Sequence, residues 1–249
     1  MKRDARVVHR AAAILLAYPS PATYERLPLI RAALQEGLDT NPGGRVGRGT
    51  SSTTGGRVGR GTSPYRDLLA FVDAAGRTPV DALARRYVEV FDLDRKHPLY
   101  LSYFTDGDTR RRGEVLAAFK KAYRDSGLVV DTHGELPDYL PMVLELAAHD
   151  PGRGGELLER YRPSVELLRL ALEDADTRTP TPWVHVLRGV CATYDGPGPT
   201  DRAAAMAMAG PPTETVGLDA YDPRLLPLDL DTSSASASGY SITGHGRAR

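Results

Sequence analysis

The chain has 249 residues, enough for one sizeable helical domain or at most two small ones. Lys+Arg and Asp+Glu each number 32, so the formal net charge is zero and no global field favours nucleic acid or an anionic membrane surface. Hydrophobic residues make up 41% and charged residues 26%, the balance of a folded globular protein. The single cysteine, Cys191, excludes an internal disulfide and a thiolate cluster, and it sits among Trp183, Val184, Val186, Leu187 and Val190. A small buried hydrophobe is its expected role, and a reducing, cytoplasmic setting is the expected location.

Residues 4–18 place Val7, Val8, Ala11, Ala12, Leu15 and Tyr18 on one helical face, which predicts an amphipathic helix and not a secretory signal. Pro19 and Pro21 end it, and a second helix is expected over 22–35. Residues 43–51 recur, residue for residue, as 55–63. The surrounding stretch 37–64 is expected to be a flexible insertion, because it offers too little apolar surface to offset its ordering entropy. Its four arginines come without aromatics, unlike a nucleic-acid tether, and no Gly-Lys-Ser/Thr makes it a phosphate loop.

Helical periodicity resumes over 65–75 and 79–91, the latter with Val80, Leu83, Tyr87 and Val90 in step. Residues 92–110 read as loop. Residues 112–126 predict a helix with Val115, Leu116, Phe119 and Tyr123 on one face and Gly127 as its stop. The next helix falls within 137–148. Pro141 lacks an N–H, so either its first turn is irregular or the regular helix starts at Leu140 or Pro141. Helices follow over 154–174, broken before Pro163, and over 181–193. Residues 203–209 offer one short helix, and the rest of 195–249 reads as a low-complexity, mostly disordered tail. No set of alternating strands occurs, so the expected fold is all-α, with the helical domain at 1–194. No window reaches the ~18 apolar residues of a membrane span, so no direct membrane insertion is expected.

Catalytic and metal motifs are missing from the sequence. None of the six histidines has the His-Glu-x-x-His spacing of a zinc helix. His133-Gly134-Glu135 lacks the Pro-Cys-x-x-Cys partner of a zinc deaminase, and there is no Gly-x-Ser-x-Gly elbow. Asp92, Asp94, Asp106 and Asp108 do not follow the calcium-loop pattern. No catalytic residue, no metal ligand and no nucleic-acid partner is expected.

Special residues concentrate instead between Tyr87 and Pro141. Tyr100, Tyr103 and Phe104 put aromatics into a loop, where they either plug the core or line a groove. Asp108 or Thr109 is placed to cap the next helix. Arg110, Arg111 and Arg112 stand at that helix's N-terminus, against its dipole, so carboxylate partners are expected; Glu135 and Asp138 are the candidates.

Four ordered stretches carry a family resemblance: Tyr-Val-Glu-Val-Phe-Asp-Leu from Tyr87, Leu-Tyr-Leu-Ser-Tyr from Leu99, Gly-Asp-Thr-Arg-Arg-Arg-Gly from Gly107 and Glu-Leu-Pro-Asp-Tyr-Leu-Pro from Glu135. Together they resemble the nitrate reductase delta-subunit chaperones (NarJ) of the TorD-like family, over about residues 5–36 and 65–190. The resemblance implies a TorD-like helical bundle, acting as a chaperone and not an enzyme. It implies a client, the apo catalytic (alpha) subunit of respiratory nitrate reductase, held by its N-terminal segment, alone or as the alpha-beta complex. The chaperone would support molybdenum cofactor insertion and complex assembly, and be absent from the finished enzyme. The molybdenum cofactor would be handled only through the client, with none bound stably by this chain, which is expected to be a monomer. A chaperone for another molybdenum-dependent oxidoreductase is the alternative. Matching the motifs gives the expected client-binding residues: Tyr87, Phe91, Tyr100, Tyr103, Asp108, Arg110, Arg112, Glu135, Pro137, Asp138 and Tyr139. The aromatics would wall an apolar groove, and Arg110, Arg112, Glu135 and Asp138 would charge its rim.

Overall fold

The computed structural model describes residues 5–40, 63–105, 112–132, 134–176 and 180–209. The fold is all-α. Eleven α-helices and one π-helical turn account for the regular structure of the described residues, with a lone antiparallel bridge between Tyr100 and Tyr139. No described helix is long and apolar enough to cross a membrane.

Helix α1 (Ala5–Leu15) turns Val8, His9, Ala11, Ala12, Ala13 and Leu15 inward. Its alanines leave room for α7 (Leu140–His149), and Arg6 Nε donates to the Ala148 carbonyl at 2.8 Å. Helix α2 (Pro21–Thr40) starts under Ser20, whose Oγ accepts from Thr23 N at 3.2 Å, as an N-cap should. It runs past the expected end at residue 35, into the stretch read as a flexible insertion. Leu38 explains the extension, since it packs against the core. Apart from Ser63, the duplicated repeat lies outside the described residues.

Helices α3 (Pro64–Gly76) and α4 (Val80–Tyr87) match the expected periodicity, but α4 passes into a π turn at Val88–Asp92. There Leu93 N donates to Val88 O at 2.9 Å, an i to i+5 bond. The expected loop that follows contains a short helix, α5 (Ser102–Thr105). Helix α6 (Arg112–Asp125) ends, as expected, at Gly127, whose φ is 73°. Helix α7 begins at Leu140, which resolves the proline problem: at the second helical position Pro141 has no hydrogen bond to lose.

Helix α8 (Arg153–Arg160) meets α7 at Gly154, where a Cβ would lie 2.3 Å from the Ala147 backbone. Tyr161 breaks it from α9 (Arg162–Asp176), and α10 (Trp183–Cys191) supplies the centre of the core. Trp183 is fully buried, with the rings of Phe91, Tyr87 and Phe71 at 5.3, 5.6 and 6.0 Å, and its Nε1–H donates to Leu15 O at 3.1 Å. Cys191 is partly buried against the same core. Burial, then the charge of Glu166, raises its thiol well above the ordinary range, which favours the neutral form.

The helical body continues past the boundary expected at residue 194. Residues 195–200 strap across α9: Arg162 donates to the Asp195 and Pro197 carbonyls at 2.8 and 3.0 Å, and Arg169 to Pro199 O at 2.8 Å. Beneath the strap, Glu166 is fully buried and pairs with Arg169 at 2.8 Å, and a Cβ on Gly198 would come within 2.9 Å of its carboxylate. Helix α11 (Arg202–Met208), capped by Asp201, then packs on α9 through Ala205. Residues 210–249 lie outside the described part of the chain.

Candidate functional site

Five of the expected residues converge. Tyr87, Phe91, Tyr100, Glu135 and Tyr139 line one cavity of about 160 Å³, together with Tyr18, Asp92 and Leu99. The π turn sets two of its walls: the extra residue per turn carries Phe91 and Asp92 to the cavity while Tyr87 and Phe91 still reach Trp183. The Tyr100–Tyr139 bridge sets the opposite pair, with Leu101 N donating to Asp138 O at 3.0 Å and Leu140 N to Leu99 O at 2.7 Å. The rings of Tyr100 and Tyr139 are 5.7 Å apart, and Tyr18 meets Tyr87 edge-on at 5.5 Å.

The hydroxyls form a chain. Tyr87 donates to Leu16 O at 3.1 Å, so it accepts from Tyr139, also at 3.1 Å. Tyr100 donates to Glu135 at 2.5 Å. All three phenols are pushed up from the ordinary range, by burial first. Charge from Glu135 adds to this at each of them, and charge from Asp92 at Tyr87 and Tyr139. The walls are therefore aromatic and the field inside is negative.

The other expected residues stand elsewhere. Asp138 is not at a rim: it is fully buried, and its Oδ2 accepts from Ser102 N at 3.0 Å and Ser102 Oγ at 2.6 Å. It ties the start of α5 to the segment before α7. Pro137 is buried too, and its carbonyl accepts from Tyr123 at 2.9 Å. Tyr103 is exposed and packs edge-on against Phe104 at 5.5 Å, and Arg112 opens α6; neither lines the cavity. Asp108 and Arg110 lie outside the described residues.

Tyr18 and Asp92 were missed as site residues. Tyr18 sat on the face of the first predicted helix and read as core; in the structure it follows α1 and is 54% exposed. Asp92 belongs to the Tyr-Val-Glu-Val-Phe-Asp-Leu stretch and fits no calcium loop, but it is not among the expected contact residues. Its place two residues before Asp94, at the end of an apolar helical run, was the available signal.

The π turn also borders a second cavity, of about 200 Å³, through Glu89 and Val90. His97 is buried there, with Nδ1 3.2 Å from Val90 O and Nε2 3.3 Å from Ala171 O. Among the described residues no group of His, Cys, Asp and Glu is arranged to hold a metal ion.

Residues 61–187 match the family described as nitrate reductase delta subunit. The chain is 31% identical over 175 residues to a Bacillus subtilis protein named as a probable nitrate reductase molybdenum cofactor assembly chaperone NarJ, covering 70% of this chain and 83% of that one. It is 34% identical over 107 residues to the Escherichia coli K12 nitrate reductase molybdenum cofactor assembly chaperone NarJ, covering 43% of this chain and 44% of that one. It is 42% identical over 143 residues to the nitrate reductase-like protein NarX of Mycobacterium tuberculosis, covering 52% of this chain but 21% of NarX, so it spans about a fifth of that relative. The family match takes in the π turn, the Tyr100–Tyr139 bridge and every expected contact residue, and on that ground the chain belongs to the nitrate reductase delta subunit family.

Proposed function

We propose that this protein is an assembly chaperone for a respiratory nitrate reductase. It binds the apo alpha subunit by its N-terminal segment, holds it while the molybdenum cofactor is inserted, and leaves before the enzyme is complete. The observation that carries this reading is the similarity to a named NarJ chaperone over 83% of that relative's length. The cavity supports it, because aromatic walls with polar hydroxyls suit one face of an amphipathic peptide. Tyr87, Phe91, Tyr100, Glu135 and Tyr139 form the seat, and Tyr103 and Arg112, outside the cavity, are further client contacts. The protein acts by binding and not by turnover, and the cofactor is cargo that travels in the client.

Calorimetry with a synthetic peptide of the alpha subunit's N-terminal segment tests the proposal. A dissociation constant of about 1 μM or tighter is expected, equivalent to ~8 kcal/mol. No heat of binding at high peptide concentration, together with full nitrate reductase activity in a strain lacking this gene, overturns it.

A further inference from the structure

We propose that the tyrosine-lined cavity is a cation cage, built to take one arginine or lysine side chain from the client's N-terminal segment. The inference rests on the chaperone reading for the source of that side chain, but the recognition chemistry stands on the cavity alone. Tyr18, Tyr87, Tyr100 and Tyr139 present rings to one space, and Asp92 and Glu135 are the charged residues among its described lining. None of the described lining residues is basic.

Three classes of occupant can be compared. An anion would meet two carboxylates at short range. An apolar side chain would strip water from Glu135 without returning a hydrogen bond, which is costly for a charged group. A guanidinium or ammonium meets ring faces and carboxylates together, and both attract it. Burial raises the phenols of Tyr87, Tyr100 and Tyr139, and the nearby carboxylate charge adds to it, so the rings stay neutral beside the carboxylates.

The Tyr100–Glu135 hydrogen bond is then a placeholder. With the cavity empty, the phenol satisfies one carboxylate oxygen. An entering guanidinium offers a fork of N–H donors and replaces it. One consequence separates this from a plain aromatic groove. Tyr100→Phe keeps the ring and frees Glu135, so it binds the cation as well as or better than the native chain.

The test uses the full-length protein with ring-labelled tyrosines, titrated by nuclear magnetic resonance with n-butylguanidinium and with the neutral n-pentanamide. Saturable shifts of the Tyr100 and Tyr139 rings are expected with the cation, and binding about tenfold or more weaker with the amide. Glu135→Gln weakens the cation about tenfold or more. Asp92→Asn, at an exposed position, weakens it as well and guards against a folding defect in the first variant. Equal binding of cation and amide, no ring shifts with the cation, or unchanged affinity in both carboxylate variants overturns the cage. If the client peptide fails to bind while butylguanidinium still titrates the rings, the chaperone reading falls and the cage stands. If the peptide binds the native chain and Glu135→Gln alike, the cage falls and the chaperone reading stands.

Discussion

Asp138 stands in a motif expected to touch the client, yet its surroundings make it a structural residue. Its Oδ2 is the acceptor for two donors of one buried residue, the Ser102 amide at 3.0 Å and the Ser102 hydroxyl at 2.6 Å. Asp138→Ala leaves both donors without that partner, in a place closed to water. Each orphaned group costs about 1–3 kcal/mol, and the hydroxyl can rotate towards a substitute, so a total loss of about 2–4 kcal/mol is expected. Asp138→Asn keeps an acceptor oxygen and loses only the charge-assisted part, about 1 kcal/mol. Ser102→Ala removes one bond and leaves the amide in place, again about 1 kcal/mol. Urea unfolding with a common slope measures all three. Calorimetry on the folded fraction should then give native peptide affinity for each variant, because Asp138 does not line the cavity. The reasoning is refuted if Asp138→Ala unfolds within ~0.5 kcal/mol of the native chain while peptide binding drops tenfold.

Gly154→Ala should lower stability by about 2 kcal/mol or more despite alanine's better helix propensity, since the new Cβ would strike backbone at 2.3 Å; a chemical denaturation midpoint checks it. Burial holds the His9 pKa down at about 4 against the ordinary 6.5, so the unfolded chain takes up a proton first. Stability is therefore full above pH 6.5 and falls as the pH drops from there towards 4, by about 3 kcal/mol at the lower end; His9→Gln should flatten that part of the stability-versus-pH curve. Arg169→Met should destabilise by about 3–5 kcal/mol because it strips the closest partner from the fully buried Glu166, and Arg169→Met with Glu166→Met should recover most of the loss in urea melts.

The all-α architecture was legible because helix periodicity needs only local sequence. Gly127 as a stop and the late start of α7 at Leu140 were legible for the same reason, through φ preference and a missing N–H. The π turn was not. Val80, Leu83, Tyr87 and Val90 keep helical step on paper, and the shift to i to i+5 bonding depends on seating Tyr87 and Phe91 against a tryptophan far along the chain. Asp138 was misread because a carboxylate in a loop looks solvated until its Ser102 partner is placed in space. The strap after Tyr194 was missed likewise. A Gly-Pro-Gly-Pro run reads as unstructured, and nothing local reveals that Arg162 and Arg169 hold its carbonyls. Of the cavity, the rings were legible as a set, but the partner just after the first helix, Tyr18, was not.

The position of α1 has a consequence for how the protein comes into being. Several of its native partners are distant along the chain: Ala148 O is 142 residues from Arg6, Trp183 is 168 from Leu15, and Thr193 is 184 from His9. At a ribosomal pace of about 5–20 residues per second, α1 waits on the order of ten seconds or more before α10 exists to receive it. During that interval its alanine, valine and leucine face has only part of its native cover, first α2 and α3 and later α7. A chain cut short before Trp183 would lack the residue on which Phe71, Tyr87 and Phe91 converge. Folding is accordingly late and collective, and a nascent chain of this protein is itself a customer for general holdases until its last core helix leaves the ribosome.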